Sequence, residues 1–340
     1  MTRRSSSVTI RDVARQAGVS VATVSRFINR NTPVSAEVAE RLNQVMTELR
    51  YVPHAAARNL ASRKTRVIGL LLNNLHNDFF VPLLNGVEAV VRKKEYNLIV
   101  ATYHANSRNA MPPPIGPHNT DGLLVFSDGL VDEDLGNLNA SGFPMVLVHR
   151  TSPPNLKIPS VTVENIEITH KLVEHLIQVH GKRRILFMRG PLHQEDSVRR
   201  EMGYKSALAA NGIPFDEKLV LDGEFERDIA FQVLNDFLSN GKHVVFDAVF
   251  TGDDDAAIGV LKALHEHKYR IPEDIAVVGF DDLGFAPFLN PPLTTVRAPT
   301  ETVGRIAAER LFGALENQSP NGAVVLPTEI IFRHSCGCQA

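Results

Sequence analysis

Arg26 carries a planar guanidinium fork of N–H donors, and Val21 and Ala22 carry small apolar groups. The three fall within one short stretch, Ser20 to Asn29, so a single helix start can present them together. A second polar set is scattered through the rest of the chain. It comprises Asn73 and Asn74, His149 and Arg150, Arg189 and Gly190, Gly252 to Asp254, and Phe280 to Asp282. Each pair or triplet follows an apolar run, and several members are carboxylates, which accept hydrogens from ligand hydroxyls. Catalytic signatures are missing from the same regions. No G-x-G-x-x-G follows the first apolar run, and no G-x-x-x-x-G-K-[ST], H-E-x-x-H or G-x-S-x-G occurs. The pattern therefore favours binding over catalysis.

The elements that must position the first set are legible at the N-terminus. Thr9 can cap a helix, with Asp12 three residues on in a capping-box arrangement. Ile10, Val13, Ala14 and Ala17 then share one face. Gly18 stands where that helix must stop. Ser20 can cap a second helix from Val21 to about Ile28, with Val24 and Phe27 or Ile28 inward and Val21, Ala22, Ser25 and Arg26 outward. A third helix is expected after Ser35, burying Val38, Leu42, Val45, Met46 and Leu49. A helix-turn-helix of this kind presents the start of its second helix to base edges. An ordinary three-helix packing unit would show the same apolar stripe, and charge separates the two readings. Residues 1–66 hold 12 Lys and Arg against 4 Asp and Glu, whereas residues 67–340 hold 24 against 34. A head of charge +8 on a body of charge −10 is the footprint of a phosphate-binding module.

The 340 residues suffice for two or three domains, and 44% apolar with 22% charged residues is a globular composition. No apolar run reaches the roughly 18 residues of a membrane helix, and MTRRSSS precedes no apolar segment, so neither a membrane nor a secretory route is expected. A cytoplasmic location follows as an expectation. Cys336 and Cys338, two residues apart, are poorly placed for a disulfide, and as thiolates lacking nearby partners they are expected to hold no metal. His170, His175 and His180 recur every five residues, which would spread them around a helix rather than focus them on an ion. No cofactor is expected.

After Arg66 apolar runs alternate with helical stretches. VIGLLL (67–72), NLIVATY (97–103), DGLLVF (121–126), PMVLVH (144–149), RRILFM (183–188), DAVFTG (247–252) and DIAVVGFDD (274–282) read as strands. Helices are expected through Glu88 to Lys93, around 165–179, from about 197 to 210, from about 227 to 239, and from Asp254 to His265. Such alternation means parallel sheets with helices on both faces, here in two successive lobes with a cleft between them. Ligands of open parallel sheets bind beyond the carboxyl ends of the strands, where the polar set lies. Asp253-Asp254-Asp255 opens a helix, where capping alone can explain acidic residues; alternatively Asp253 faces the cleft and takes ligand hydroxyls. MPPPIGP (111–117) is expected to be an irregular loop.

These residues bear a resemblance. IRDVARQAGVSVATVSRFIN, YVPHAAARNL (51–60), RREMGY (199–204), IPEDIAVVGFDD (271–282) and PPLTTV (291–296) make the chain similar, over essentially its full length, to the lactose-repressor (LacI/GalR) family of bacterial transcription regulators. The resemblance implies an all-α helix-turn-helix head (1–50), a hinge helix and linker (51–65), and a two-lobed α/β body like periplasmic sugar-binding proteins (66–340). Its first lobe would comprise about 66–163 plus 296–325, its second about 164–295 plus 326–340. It also implies a homodimer on near-palindromic operator DNA and a small-molecule effector in the cleft. By position, Val21, Ala22 and Arg26 take the base-reading places. Thr9, Ser20, Thr23, Ser25 and Asn29 are placed among the DNA contacts, the last four as phosphate positioners. Ala57, Leu60 and Ala61 lie on the hinge, with Leu60 as a minor-groove wedge. Arg200 and Asp281 match the effector-anchoring pair, Phe225 the stacking aromatic, and Asp78, Phe79 and Phe80 an aromatic-lined segment. Gln194, Asp196, Asp253 and His149 occupy positions that vary with effector type. The purine-binding branch has arginine and threonine where Gln194 and Asp196 stand, which disfavours a purine.

An isolated helix over about 53–61 is shorter than the roughly 12–15 residues needed for marginal helicity in water, so it should form only when two copies meet in a minor groove. The expected function is thus a repressor-type regulator of carbohydrate genes whose grip on DNA follows cleft occupancy. A solute-binding protein without DNA function is the alternative, opposed by the basic head. An enzyme with a regulatory head is a third, opposed by the missing catalytic set.

Overall fold

The computed structural model describes residues 8–29, 33–51, 64–75, 78–103, 112–239, 245–318 and 322–339. The chain divides into two compact units, Met1–Arg66 and Val67–Ala340.

In the first unit α1 (Ile10–Ala17) starts at Thr9, whose backbone N–H and hydroxyl both donate to the Asp12 carboxylate at 3.0 and 2.7 Å. These bonds hold Asp12 below its ordinary carboxylate pKa. Gly18 ends α1 at φ 67°, a left-handed conformation that costs glycine little. Ser20 then accepts the Thr23 N–H at 3.1 Å as α2 (Val21–Asn29) begins. The third helix, α3 (Ala36–Glu48), is capped by Ser35. Val13, Ala14, Ala17, Val24, Leu42, Val45 and Tyr51 form the buried core, with Ile10, Phe27, Ile28, Val38, Met46 and Leu49 packed around it. The expected inward faces are therefore correct, and Tyr51 joins them. The hinge reading of Pro53 to Ala61 lies outside the described residues.

The second unit has two parallel sheets. One contains β1 (Val67–Leu72), β2 (Asn97–Thr102), β3 (Gly122–Phe126), β4 (Met145–Val148), β5 (Ser160–Val163) and β11 (Ala323–Leu326) in the order β11-β5-β4-β3-β1-β2. The other contains β6 (Ile185–Arg189), β7 (Val220–Asp222), β8 (Ala248–Thr251) and β9 (Ala276–Val278) in the order β7-β6-β8-β9. Apolar runs continuous in sequence are needed because both sheet faces are covered. Ile68, Leu70 and Leu72 of β1 feed one core while Leu71 feeds another; Ile185 and Phe187 of β6 likewise part from Leu186 and Met188. Helices α4 (Phe80–Lys93), α5 (Asp132–Ala140) and α10 (Thr300–Leu315) accompany the first sheet. Helices α6 (Ile166–Gln178), α7 (Glu195–Ala210), α8 (Arg227–Ser239) and α9 (Asp254–Glu266) accompany the second. Two further strands, β10 (Thr295–Arg297) and β12 (Glu329–Ile331), pair antiparallel where the chain passes between lobes.

The structure adds and corrects elements. Ser160–Val163 is a fully buried strand that a four-residue run with two hydroxyl residues conceals in sequence. Residues 112–120 are irregular, as expected; the backbone turns at Gly116, whose carbonyl accepts from Asn119 and Thr120 N–H at 3.1 and 2.9 Å. The expectation that His175 and His180 diverge from each other, and that Cys336 and Cys338 lack partners, is overturned. Helix α6 stops at Gln178 and the chain reverses at Gly181, so His180 folds back over His175, and the C-terminal cysteines close on both.

Candidate functional site

The start of α2 carries the first candidate set. Val21, Ala22 and Arg26 are exposed, with Thr23 and Ser25 half-buried between them. Ser20 is exposed, and its hydroxyl lies 2.9 Å from that of Thr23. Thr9 is exposed at the start of α1. Asn29 ends α2. Val21 stays 41% exposed although apolar, which an internal packing role does not explain. Ala57, Leu60 and Ala61 lie outside the described residues.

The second set converges between the two lobes of the body. A cleft of about 60 Å³ is lined by Asn73, Asn74, Phe79, Phe80, Phe126, Gln194, Asp196, Arg200, Glu224, Phe225, Asp253 and Asp281. Arg200 is its keystone. Its Nε donates to Asn165 Oδ1 at 2.9 Å, Nη1 to the Gly252 carbonyl, and Nη2 faces Asp281 Oδ1 at 3.5 Å. The guanidinium lies 3.6 Å from the Phe280 ring centre and 5.5 Å from that of Phe225. Only 3% of Arg200 is exposed, so its fork is fixed before any ligand arrives.

Asp196 joins the lobes. Its Oδ2 takes a 2.7 Å hydrogen bond with His149 Nδ1, from the end of β4, and its Oδ1 accepts from Asn165 at 2.9 Å. Thr151 N–H and hydroxyl donate to Glu195 across the same divide, and His193 pairs with Asp128 at 2.8 Å. These particular interlobe contacts are polar. His149 itself is buried behind Asp196 rather than lining the cleft, and Asp78 borders a different depression beside Asp282 and Arg297. Residues that the resemblance did not single out also line the cleft: Phe126, Glu224, and Asn73 and Asn74 of the strand-end set. Phe126 ends β3, so the strand-end rule reaches it; Glu224 has no sequence signal of its own.

Three residues that line the cleft, Glu224, Phe225 and Asp281, have positive φ, from 55° to 112°, as do His149 and Asp282 next to it. Phe225 is seated by Gly190, where a Cβ would fall 2.2 Å from the ring. The acidic run divides its work. Asp253 caps α9 by accepting the Ala256 N–H at 2.9 Å while also lining the cleft, so the two readings of this residue describe one side chain. Asp254 accepts from Thr295 Oγ1 at 2.6 Å and Leu283 N–H at 2.9 Å, tying α9 to β10. Asp255 takes Arg227.

Electrostatics separate these carboxyls. Burial pushes Asp196 up, but the His149 and Arg200 charges and the hydrogen bonds outweigh it and hold it below its ordinary value. Burial and the Asp281 charge push Asp253 well above. Burial raises Asp281 to about 8 despite Arg200, and raises Asp254 to about 8 despite its two donors. A carboxyl with a raised folded-state pKa opposes folding progressively as pH rises from its unfolded value toward its folded one. Asp281→Asn should therefore melt increasingly above the wild type between about pH 4 and pH 8. Parallel melting curves across that range contradict the assignment. Asn tolerates the positive φ at this position, so the backbone is preserved.

Comparison with known proteins decides the family. Residues 9–54 match the model for bacterial regulatory proteins of the lacI family, and residues 173–336 match a periplasmic binding protein-like domain. The chain is 32% identical over 313 residues to the HTH-type transcriptional repressor PurR of Vibrio atlanticus (strain LGP32), covering 91% of this chain and 92% of that one. The chain belongs to the LacI family of bacterial regulatory proteins. It is a DNA-binding transcription regulator. The solved lac repressor dimer bound to operator and the anti-inducer ONPF superposes with TM-score 0.77 at 25% identity, over 97% of this chain and 99% of that one. A CelR–cellobiose complex superposes with TM-score 0.68 at 29% identity, over 96% and 99%. The helix-turn-helix head and two-lobed body of this LacI-family regulator are thus those of its relatives. Among its described residues no helix is long and apolar enough to cross a membrane.

Proposed function

We infer that this regulator is a cytoplasmic, homodimeric repressor of carbohydrate genes whose operator affinity is set by a neutral sugar in the interlobe cleft. One observation supports this most: a fixed arginine, carboxyls of Asp196, Asp253 and Asp281, amides of Asn73 and Gln194, and the rings of Phe79 and Phe225 border one cavity. A sugar ring offers hydroxyls to the carboxyls and an apolar face to the aromatics. With Asp281 raised to about 8 and Asp253 raised well above its ordinary value, these two buried carboxyls can donate to ligand hydroxyls as well as accept from them. The solved CelR relative holds cellobiose, a neutral sugar. The PurR relative raises the purine reading, which Gln194 and Asp196 oppose.

In this reading Val21, Ala22 and Arg26 read base edges, Ser20, Thr23, Ser25 and Asn29 hold phosphates, Leu60 wedges into the minor groove, and Thr9, Ala57 and Ala61 are further DNA contacts. Arg200 and Asp281 anchor the ligand, Phe225 stacks on it, and His149 acts through Asp196. The protein's own part is to position and discriminate; among the described residues that line the cleft there is no serine, threonine or cysteine. A ligand that binds only the folded state raises its melting temperature, by about 2.7 kcal/mol of stabilisation at 100 times its Kd. A panel of neutral mono- and disaccharides should contain at least one that gives such a shift. A purine that shifts the melting point when no sugar does would overturn the sugar assignment.

A further inference from the structure

Four groups that the regulator's cleft does not use meet between the end of α6 and the segment that follows β12. His175 lies in the last turn of α6. Beyond the helix end the Gly181 N–H bonds the Ile177 carbonyl at 3.1 Å and the Lys182 N–H bonds that of Leu176 at 3.0 Å, turning the chain back. The turn brings His180 Nε2 to 3.1 Å from His175 Nε2. From the opposite side comes the segment after β12. Its Sγ of Cys338 stands 3.3 Å from His175 Nε2 and 3.4 Å from His180 Nε2, and the Sγ of Cys336 completes a set whose atoms all lie within 4.8 Å of one another.

We propose that His175, His180, Cys336 and Cys338 form a tetrahedral site for a zinc-class divalent metal ion, which staples the C-terminal segment to the end of α6. The distances carry the argument. Bonds of about 2.0–2.1 Å to nitrogen and 2.3 Å to sulfur at tetrahedral angles place neighbouring donor atoms roughly 3.3–3.8 Å apart. The triangle of two Nε2 atoms and Cys338 Sγ has sides of 3.1, 3.3 and 3.4 Å, and Cys336 Sγ lies within 4.8 Å of all three. Two imidazoles and two thiols are soft-to-borderline donors that select zinc-type ions over magnesium or calcium.

The scaffold is fixed before the ion arrives. Ser335 is buried, its N–H bonded to the Pro292 carbonyl at 3.0 Å and its hydroxyl donating to the Val277 carbonyl at 2.6 Å. Thr294 Oγ1 lies 3.1 Å from Cys336 Sγ, a donor that favours the thiolate a metal requires. Gly337 between the cysteines has φ 107°, and a Cβ there would press to 3.1 Å from the His180 ring, so glycine lets the loop close over the histidines. Binding replaces two S–H bonds by two S–metal bonds and releases two protons per ion.

The test uses the full-length protein, reduced and freed of metal by chelation. One equivalent of Zn²⁺ per chain should bind, with release of two protons and a raised melting temperature. Co²⁺ should give intense visible d–d absorption and near-ultraviolet thiolate charge transfer. The double variant Cys338→Ser, His180→Gln should lose the cobalt spectrum and the zinc-induced melting shift while its far-ultraviolet circular dichroism stays that of the wild type. Should that variant misfold, His175→Asn, which changes one half-exposed ring, carries the same expectation of at least a tenfold weaker zinc affinity. Substoichiometric binding by folded wild type overturns the proposal, as does an unchanged cobalt spectrum in the folded variants.

Discussion

Arg200→Ala is expected to lower the melting temperature by on the order of 10 °C and to abolish any sugar-induced shift. Among the described residues the guanidinium is the one cation that lines the cleft beside Asp196, Asp253 and Asp281, and it is 3% exposed. Its removal leaves the buried Asp196 carboxylate, which the Arg200 charge helps to hold ionised, without that partner, and breaking such a pair costs roughly 3–5 kcal/mol. At about 2–4 °C per kcal/mol for a domain somewhat smaller than this one, that is a shift on the order of 10 °C. Asn165 Oδ1 and the Gly252 carbonyl would also lose their donor. Arg200→Lys separates the causes. It keeps the charge but cannot span Asn165, Gly252 and Asp281 at once, so stability should recover in part while ligand affinity stays low. Differential scanning calorimetry with and without the active sugar reads both effects. An Arg200→Ala protein with wild-type stability and wild-type sugar response would remove Arg200 from the centre of the site.

Arg26→Ala is expected to weaken operator binding by about 10- to 100-fold per half-site, the equivalent of roughly 1–3 kcal/mol, and to relax base preference at one position of each half-site. The side chain is exposed on α2, beside Val21 and Ala22. Arg26→Lys is the informative partner. A phosphate contact needs only the charge, so lysine would preserve affinity and salt dependence; a bidentate guanine contact needs the fork, so lysine would keep the salt slope and lose the discrimination. Selection of bound sequences from a random DNA pool, followed by affinity measurements at several salt concentrations, distinguishes them. Unchanged preference in both variants would assign base reading elsewhere on the head.

Local chemistry made the head legible. Thr9, Asp12, Gly18 and Ser20 are stop and start signals that act within a few residues, and each does in the structure what its type requires. The strands of the body were legible for a similar reason: β1, β3 and β4 are buried on both faces and cannot hide in a polar sequence. Ser160–Val163 escaped because neighbouring strands, not its own residues, bury it. The cleft was half legible. Strand ends and the resemblance pointed to Asp281, Asp253 and Arg200, but the link from His149 to Asp196 spans 47 residues and two lobes, and no spacing rule reports it. The histidine–cysteine cluster failed outright as a sequence reading. A period of five spreads side chains only while a helix continues, and α6 ends between the two histidines. The cysteines find them across some 160 residues of chain.

On the proposed function, the basic head and the polar, preorganised cleft work as one device whose function lies in their coupling. Coupling of this kind is reciprocal: the factor by which the ligand changes DNA affinity equals the factor by which DNA changes ligand affinity. The most direct test takes the sugar that raises the melting temperature and the selected operator, and measures four dissociation constants. These are operator with and without saturating sugar, and sugar with and without saturating operator. The account predicts the same ratio in both pairs, at least fivefold from unity and reduced to unity by Phe225→Ala, Asp281→Asn or any change that empties the cleft. A sugar that binds the cleft tightly yet leaves operator affinity unchanged would contradict it.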